Sequence, residues 1–492
     1  MKKQYIAIVA LWFIGGMLMA QNERDAFRYA QYSPTGTARY SALAGSMGAF
    51  GADFTALSAN NPAGIGLYKR MEFTLTVAVP YNKISSTYNG EQQIGARSDF
   101  NCNNAGVVFA FKTAENSKWK MVQFGTGFNT LVRYRGTSVI SGLNVGKKEG
   151  TTNFFDHVAE NSYGSPDYLK WISDVAYNYF LMDPNSNGGY SPRVINDYFV
   201  QRQEKNMDGA LNEYIFTLGG NYDDRLFLGA TLGVPFINYS EKTTYTETRE
   251  NFNDTLGYSY FRHYEQFKSN ATGINLKLGV IYQPVNFVRV GAAFHTPTWY
   301  PNVRESYEKG YEFELLYQPL DSSYYDVSEL SPIGKFNYQL TTPYHAMANV
   351  AFLFKKHGFI NLDYEFTDYS TSNLQSNSYN FSVENSATRR YFQPTHAVRI
   401  GGEVNLSPLA LRLGYSFTSN PYKKIANEER IDGTKHTISG GIGIKGKKIF
   451  ADFAYMYRFT KDKDVFYDAT FIYPYNSQIV NQVFTLTLGM KL

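Results

Sequence analysis

The chain has 492 residues and a formal net charge of +4 spread over interspersed Lys, Arg, Asp and Glu, which excludes the basic face that nucleic acids need. A single cysteine, Cys102, excludes an internal disulfide; seven scattered histidines without HxxxH or HxH spacing point to no metal, and no cofactor is expected. Aromatic residues make up 17% of the chain, 41 Tyr and 37 Phe, set in short segments beside Gly, Thr and Asn. That composition is β-rich. A mean hydropathy of −0.36 is compatible with a membrane barrel, in which only alternate residues meet lipid.

Residues 1–20 read as a signal peptide: Lys2 and Lys3 precede the apolar stretch Tyr5 to Leu18, and Ala20 suits cleavage before Gln21. The stretch is shorter than the roughly 20 apolar residues that span a bilayer. No later run is long and apolar enough for a membrane helix, so export leaves the periplasm, secretion or an outer-membrane barrel. Residues 21–70 follow no strand pattern. The segment Ala42 to Gly66 is crowded with Gly and Ala; such a segment makes no core of its own and reads as a plug inside a barrel wide enough to need one. Asn61-Pro62-Ala63 reads locally as a turn. Gly45, Gly48 and Gly51 are not a nucleotide loop, since no strand precedes them and no βαβ unit follows.

From residue 71 to 492 the pattern has period two. Phe484, Leu486, Leu488, Met490 and Leu492 alternate with Thr485, Thr487, Gly489 and Lys491, and Leu409, Leu411, Leu413 and Tyr415 alternate with Ala410, Arg412, Gly414 and Ser416, as a strand between lipid and lumen requires. The alternation predicts fourteen strands, near 71–82, 104–113, 119–133, 209–222, 226–240, 262–283, 286–298, 340–355, 358–369, 391–405, 408–418, 435–446, 448–460 and 481–492. Their connections alternate short and long, the longest covering about 134–208. This parity fits short periplasmic turns and long extracellular loops. A soluble β-sandwich has shorter strands and no such parity. The expected fold is therefore all-β: a 14-stranded antiparallel transmembrane barrel with an N-terminal small-residue-rich hatch in its lumen.

In the 134–208 loop, Ser165 and Pro166 open a helix signal in which Leu169, Ile172, Ala176 and Tyr179 recur at helical spacing, with Trp171, Val175 and Phe180 widening the apolar face. Leu169, Trp171, Ile172, Tyr179 and Phe180 are thus candidates for gathering a greasy ligand, with Lys170, Arg193 and Lys205 as partners for a ligand carboxylate. Projected inward, the alternation places Arg289, Asp363, Glu365, Arg399, Glu403, Arg412 and Asp452 on lumen faces. They are expected to form an ion-pair lattice that holds the hatch. A catalytic reading of Asp363 and Glu365 is disfavoured because interleaved arginines keep both ionised, and no Ser, His and Asp set assembles on one wall. No enzyme activity or catalytic residue is expected.

Asn61-Pro62-Ala63 after Asp53 and a Gly/Ala run, together with Arg289-Val-Gly-Ala-Ala-Phe-His-Thr-Pro, Leu362-Asp-Tyr-Glu-Phe-Thr-Asp-Tyr, Arg412-Leu-Gly-Tyr-Ser-Phe and His436-Thr-Ile-Ser-Gly-Gly-Ile-Gly, resembles the FadL/TodX family of outer-membrane transporters of long-chain fatty acids and other hydrophobic compounds. The resemblance implies a fourteen-stranded barrel in which Asn61, Pro62 and Ala63 belong to a movable hatch. It also implies a kinked third strand, which makes Gly125 and Gly127 candidates for a lateral exit; close packing of the plug is the other use of glycine there. The expected function is passive uptake of a hydrophobic small molecule across the outer membrane of a Gram-negative bacterium by a monomer in contact with lipid and lipopolysaccharide. The alternative is a barrel whose extracellular loops grip a protein partner in secretion or assembly.

Overall fold

The computed structural model describes residues 23–144, 153–161, 176–179, 181–186, 190–193, 198–249, 256–317, 323–425, 432–464, 466 and 474–492. The expected signal peptide, and Leu169, Trp171, Ile172 and Phe180 of the loop helix, lie outside these residues. Fourteen antiparallel strands form the wall: β1 Glu72–Tyr88, β2 Asn101–Lys112, β3 Trp119–Arg133, β4 Phe199–Tyr222, β5 Leu226–Arg249, β6 Asn275–Val285, β7 Val288–His295, β8 His345–Leu353, β9 Gly358–Asp368, β10 Pro394–Leu406, β11 Leu409–Thr418, β12 Lys435–Lys445, β13 Ile449–Asp464 and β14 Tyr475–Lys491. Each pairs with the next, and β14 closes the ring on β1 from Glu72↔Lys491 to Thr87↔Asn476. A closed ring leaves no strand edge in lipid, where an unpaired backbone group would cost several kcal/mol. Among the described residues no helix is long and apolar enough to cross a membrane.

The period-two sequence becomes a two-faced wall. On β11, Leu409, Leu411, Leu413 and Tyr415 are exposed on the outside while Ala410, Arg412 and Ser416 are buried inside. Leu486, Leu488 and Met490 do the same on β14. The strand count agrees with the expectation, but the lengths do not. β4 and β5 each run 24 residues, about 80 Å of extended chain, whereas about 10 tilted residues cross a bilayer. Their excess continues past the membrane on the long-loop side, paired through Phe199↔Arg249. The predicted sixth, seventh and eighth strands likewise continue outward as strands 256–272, 299–317 and 334–341. These extensions form a lobe on the long-loop side with its own core, in which the helix Phe154–Asn161 places Phe154 and Phe155 against Tyr258, Phe261 and Phe313. Tyr179 packs at its margin and donates to Glu329 at 2.9 Å.

Candidate functional site

Residues 23–68 line the inside of the ring. Helix α1 (Glu23–Ala30) lies at the long-loop end of the barrel, where Arg24 pairs with Asp464 at 2.8 Å. Its buried Ala26 and Tyr29 join Leu131, Leu211, Ile237, Tyr239, Tyr300, Tyr338 and Leu340 in an apolar cluster. The chain then descends through the short helices α2 (Ala38–Ala42) and α3 (Ala56–Ala59) to the 3₁₀ turn Pro62–Leu67 and enters β1 at the short-turn rim. The turn formed by residues 53–56 is tied by Asp53, which accepts from Thr37 Oγ1 at 2.6 Å and from the Thr55 amide at 2.9 Å. Burial pushes this carboxyl above its ordinary range.

Asn61 docks the lower end of the plug. Its Oδ1 accepts from the Ala63 amide at 3.0 Å, capping the turn, while its Nδ2 reaches Val280 O at 3.1 Å on β6, and Ala292 O on β7 and Asn349 Oδ1 on β8, both at 3.3 Å. His295 Nε2 donates to the preceding Asn60 carbonyl at 2.8 Å. The wall opposite is glycine because nothing larger fits: Gly219, Gly229 and Gly279 face each other across β4, β5 and β6, and a Cβ on them would collide with Ile65, Pro62 O and Asn61 Oδ1 respectively. Gly125 and Gly127 belong to the same surface. A Cβ on Gly125 would press on Ile65, and one on Gly127 would meet Phe54. The ladder is continuous at both positions, through Val108 and Thr217 for Gly125 and through Gly106 and Ile215 for Gly127.

Pairing between β2 and β3 ends two residues further on, at Asn104↔Asn129. Beyond it β2's outward continuation, 91–98, pairs only with β1, whereas strand 136–143 pairs with β4. The two sides pack closely, Gly95 lying against the Thr137 backbone, and are tied by ion pairs: Arg135 binds Asp99 at 2.6 Å and Asp208 at 2.9 Å, and Arg97 binds Asp208 at 3.0 Å.

The seven expected lumen charges all face inward, but they split into two ion-pair clusters and two residues held apart from them. Glu403 accepts from Arg39 of the plug at 3.0 Å, Arg412 at 2.7 Å and Lys445 at 2.6 Å; Arg412 also reaches Asp452 at 2.6 Å. Glu365 pairs with Arg399 and with His345 at 2.8 Å. Asp363 departs from the lattice expectation because its donors are amides. It accepts from the Met47 and Gly48 backbones at 2.9 and 3.0 Å, Asn60 at 3.2 Å, Asn349 at 2.8 Å and Asn361 at 2.9 Å. Arg289 departs likewise, donating to the Phe50 carbonyl at 3.0 Å and to Gln283 at 2.9 Å. Hydrogen bonding to plug backbone replaces charge pairing at these two sites.

Sequence reading missed a further buried pair. Lys277 and Glu213 are fully buried and paired at 2.5 and 2.7 Å, and Ser58 of α3 donates to Glu213 at 2.5 Å. Both wall residues sit at inward positions of the alternation, the one signal that marks them. Of the three cations proposed for a ligand carboxylate, Lys170 lies outside the described residues, Arg193 pairs with Asp183 at 2.6 Å, and Lys205 lies 3.5 Å from Asp464 and 3.9 Å from Glu241.

A closed fourteen-stranded barrel with its lumen occupied by its own N-terminal segment is a plugged transmembrane barrel. The chain shares this fold with a Pseudomonas aeruginosa FadL homologue, at 13% identity over 94% of this chain and 99% of that one, TM-score 0.54. It also shares it with the Pseudomonas putida toluene transporter TodX, at 12% identity over 93% and 98%, TM-score 0.50. No protein-family model matches the chain, and no curated protein does.

Proposed function

We propose that this chain is an outer-membrane channel of a Gram-negative bacterium that passively takes up hydrophobic small molecules, long-chain fatty acids among them. The observation that carries this reading is the character of the upper lumen. Water-filled barrels for polar solutes have polar interiors, whereas inward positions of β3, β4 and β5 here present Leu131, Leu211, Ile237 and Tyr239 to the apolar face of α1. The fold likeness to a FadL homologue and a toluene transporter supports the same cargo class. Burying cargo against this surface is worth about 0.8 kcal/mol per methylene.

On this reading, cargo gathered at the extracellular lobe displaces α1 from the apolar cluster, and the hatch around Asn61, Pro62 and Ala63 shifts from its glycine seat. Cargo leaves either through the lumen or sideways through the seam just beyond Gly125 and Gly127, where strands 91–98 and 136–143 pack without a shared ladder. Mass spectrometry of molecules retained by the purified barrel, paired with radiolabelled oleate and toluene uptake in a host lacking its own channel, tests it. Retention of a hydrophobic compound and uptake above the empty host are expected. Uptake of polar sugars instead would overturn the reading.

A further inference from the structure

The outer surface of the wall carries a groove of about 660 Å³ at the periplasmic ends of β3–β6, within the ~300–1,000 Å³ typical of small-ligand sites. It exists because two outward positions are small. Gly220 lies between Val122 and Leu228, and Ala230 between Leu218 and Leu278, in the cross-strand rows. The four flanking side chains are exposed and stand up as walls. The backbone of Gly219, Gly229 and Gly279 forms the floor, and Ile65, Pro62 and Asn61 press on that floor from inside, so the groove is supported against collapse. Trp119 closes the periplasmic end: its ring lies over Gly220, 2.9 Å from where a Cβ there would stand. Exposed Trp119 and Tyr282 place this end at the membrane interface, where such rings form a belt.

The rim beyond carries both signs of charge. Turns 113–118 and 223–225 are joined by the Asp223 amide donating to Lys118 O at 2.7 Å. They expose Lys118 and Arg225 beside Glu115, Asp223 and Asp224, with Asp224 also accepting from Asn221 at 2.7 Å. Lys120 is exposed next to Trp119 and donates to Ser117 O at 3.2 Å. An apolar groove opening onto neighbouring cations and carboxylates matches a molecule with a hydrocarbon chain and a zwitterionic head. The periplasmic position faces the phospholipid leaflet rather than lipopolysaccharide.

We propose that this groove is a binding site for one zwitterionic phospholipid, its acyl chain lying over Gly220 and Ala230 and its head group on the Lys118–Arg225 rim. The site is on the lipid side of the wall and is independent of the cargo. The test uses the full chain in phosphatidylethanolamine nanodiscs, moved into mild detergent and weighed by native mass spectrometry. The wild type is expected to keep one phosphatidylethanolamine. Ala230→Phe fills the groove from its outward position, and retention is expected to fall about tenfold, the loss of roughly two methylene contacts. Quenching of Trp119 fluorescence by chain-brominated phosphatidylethanolamine falls with it. Lys118→Glu with Arg225→Glu leaves the groove intact and lowers retention through the head group, with unchanged heat-modifiable gel migration as the folding control. Equal retention by the wild type and both variants, a retained hydrophobic cargo instead of phospholipid, or no retained lipid in the wild type would each overturn the proposal.

Discussion

Replacing Asp363 with Ala removes the acceptor on which the middle of the plug hangs. Its Oδ2 takes three donors from the plug, the Met47 and Gly48 amides and Asn60 Nδ2. Hydrogen bonds to a charged group contribute about 1.5–3 kcal/mol each. Taking the lower figure, because water enters the vacated space, the three together weaken docking by roughly 4 kcal/mol. That is about a thousandfold increase in the population of undocked plug, at tenfold per 1.4 kcal/mol. The ring should survive, since Asp363 remains in backbone register with Asn349 and Arg399. Single-channel conductance in planar bilayers should change from rare openings to frequent large ones, with unaltered heat-modifiable migration. An Asp363→Ala protein as silent as the wild type would refute the idea that this carboxylate anchors the plug.

Three further perturbations separate the contributions. Lys277→Met strands a buried carboxylate and should cost about 3–5 kcal/mol. Adding Glu213→Gln, which removes the stranded charge and keeps one oxygen to accept from Ser58 Oγ, should recover most of it in thermal denaturation. Gly279→Val places a side chain where Asn61 Oδ1 sits, so protease accessibility of residues 60–66 should rise while the barrel stays intact. In the extracellular lobe, beyond the membrane-crossing part of β5, Glu247 is raised by burial to about 7, while Tyr245, Gln201, Tyr258 and the Phe154 amide hydrogen-bond it. The folded state then holds a proton between about 4.5 and 7 that the unfolded state lacks, so its stabilising effect is present at low pH and is lost as pH rises through 7. Lobe stability by hydrogen exchange should be higher at pH 5 than at pH 8, and Glu247→Gln should flatten that difference.

The barrel was legible because lipid imposes a strict pattern: Leu409 to Tyr415 or Phe484 to Met490 must alternate. Where lipid ends, so does the signal. Residues 241–249, EKTTYTETR, are largely polar and read as loop, yet they pair with 199–207 in unbroken register. The inward charges were visible by parity, but their partners were not. Asp363 is satisfied by plug amides, which any sequence supplies, and Glu213 and Lys277 meet only once β4, β5 and β6 are side by side. Glycine was ambiguous for a similar reason. Gly125 and Gly127 signal close approach, and only the position of Phe54 and Ile65 tells what approaches.

On the proposed function, hydrophobic molecules pass only when the plug moves. The Ala42 β-carbon stands against Gly441 of the wall, beside the Ser439 hydroxyl that donates to the Ala42 carbonyl at 2.9 Å, so Ala42→Cys with Gly441→Cys, in a chain with Cys102→Ser, brings two thiols together to tie plug to wall by a disulfide. In cells lacking any other such channel, uptake of labelled oleate should stop when this pair is oxidised and return on reduction. Equal uptake in both states would contradict the account.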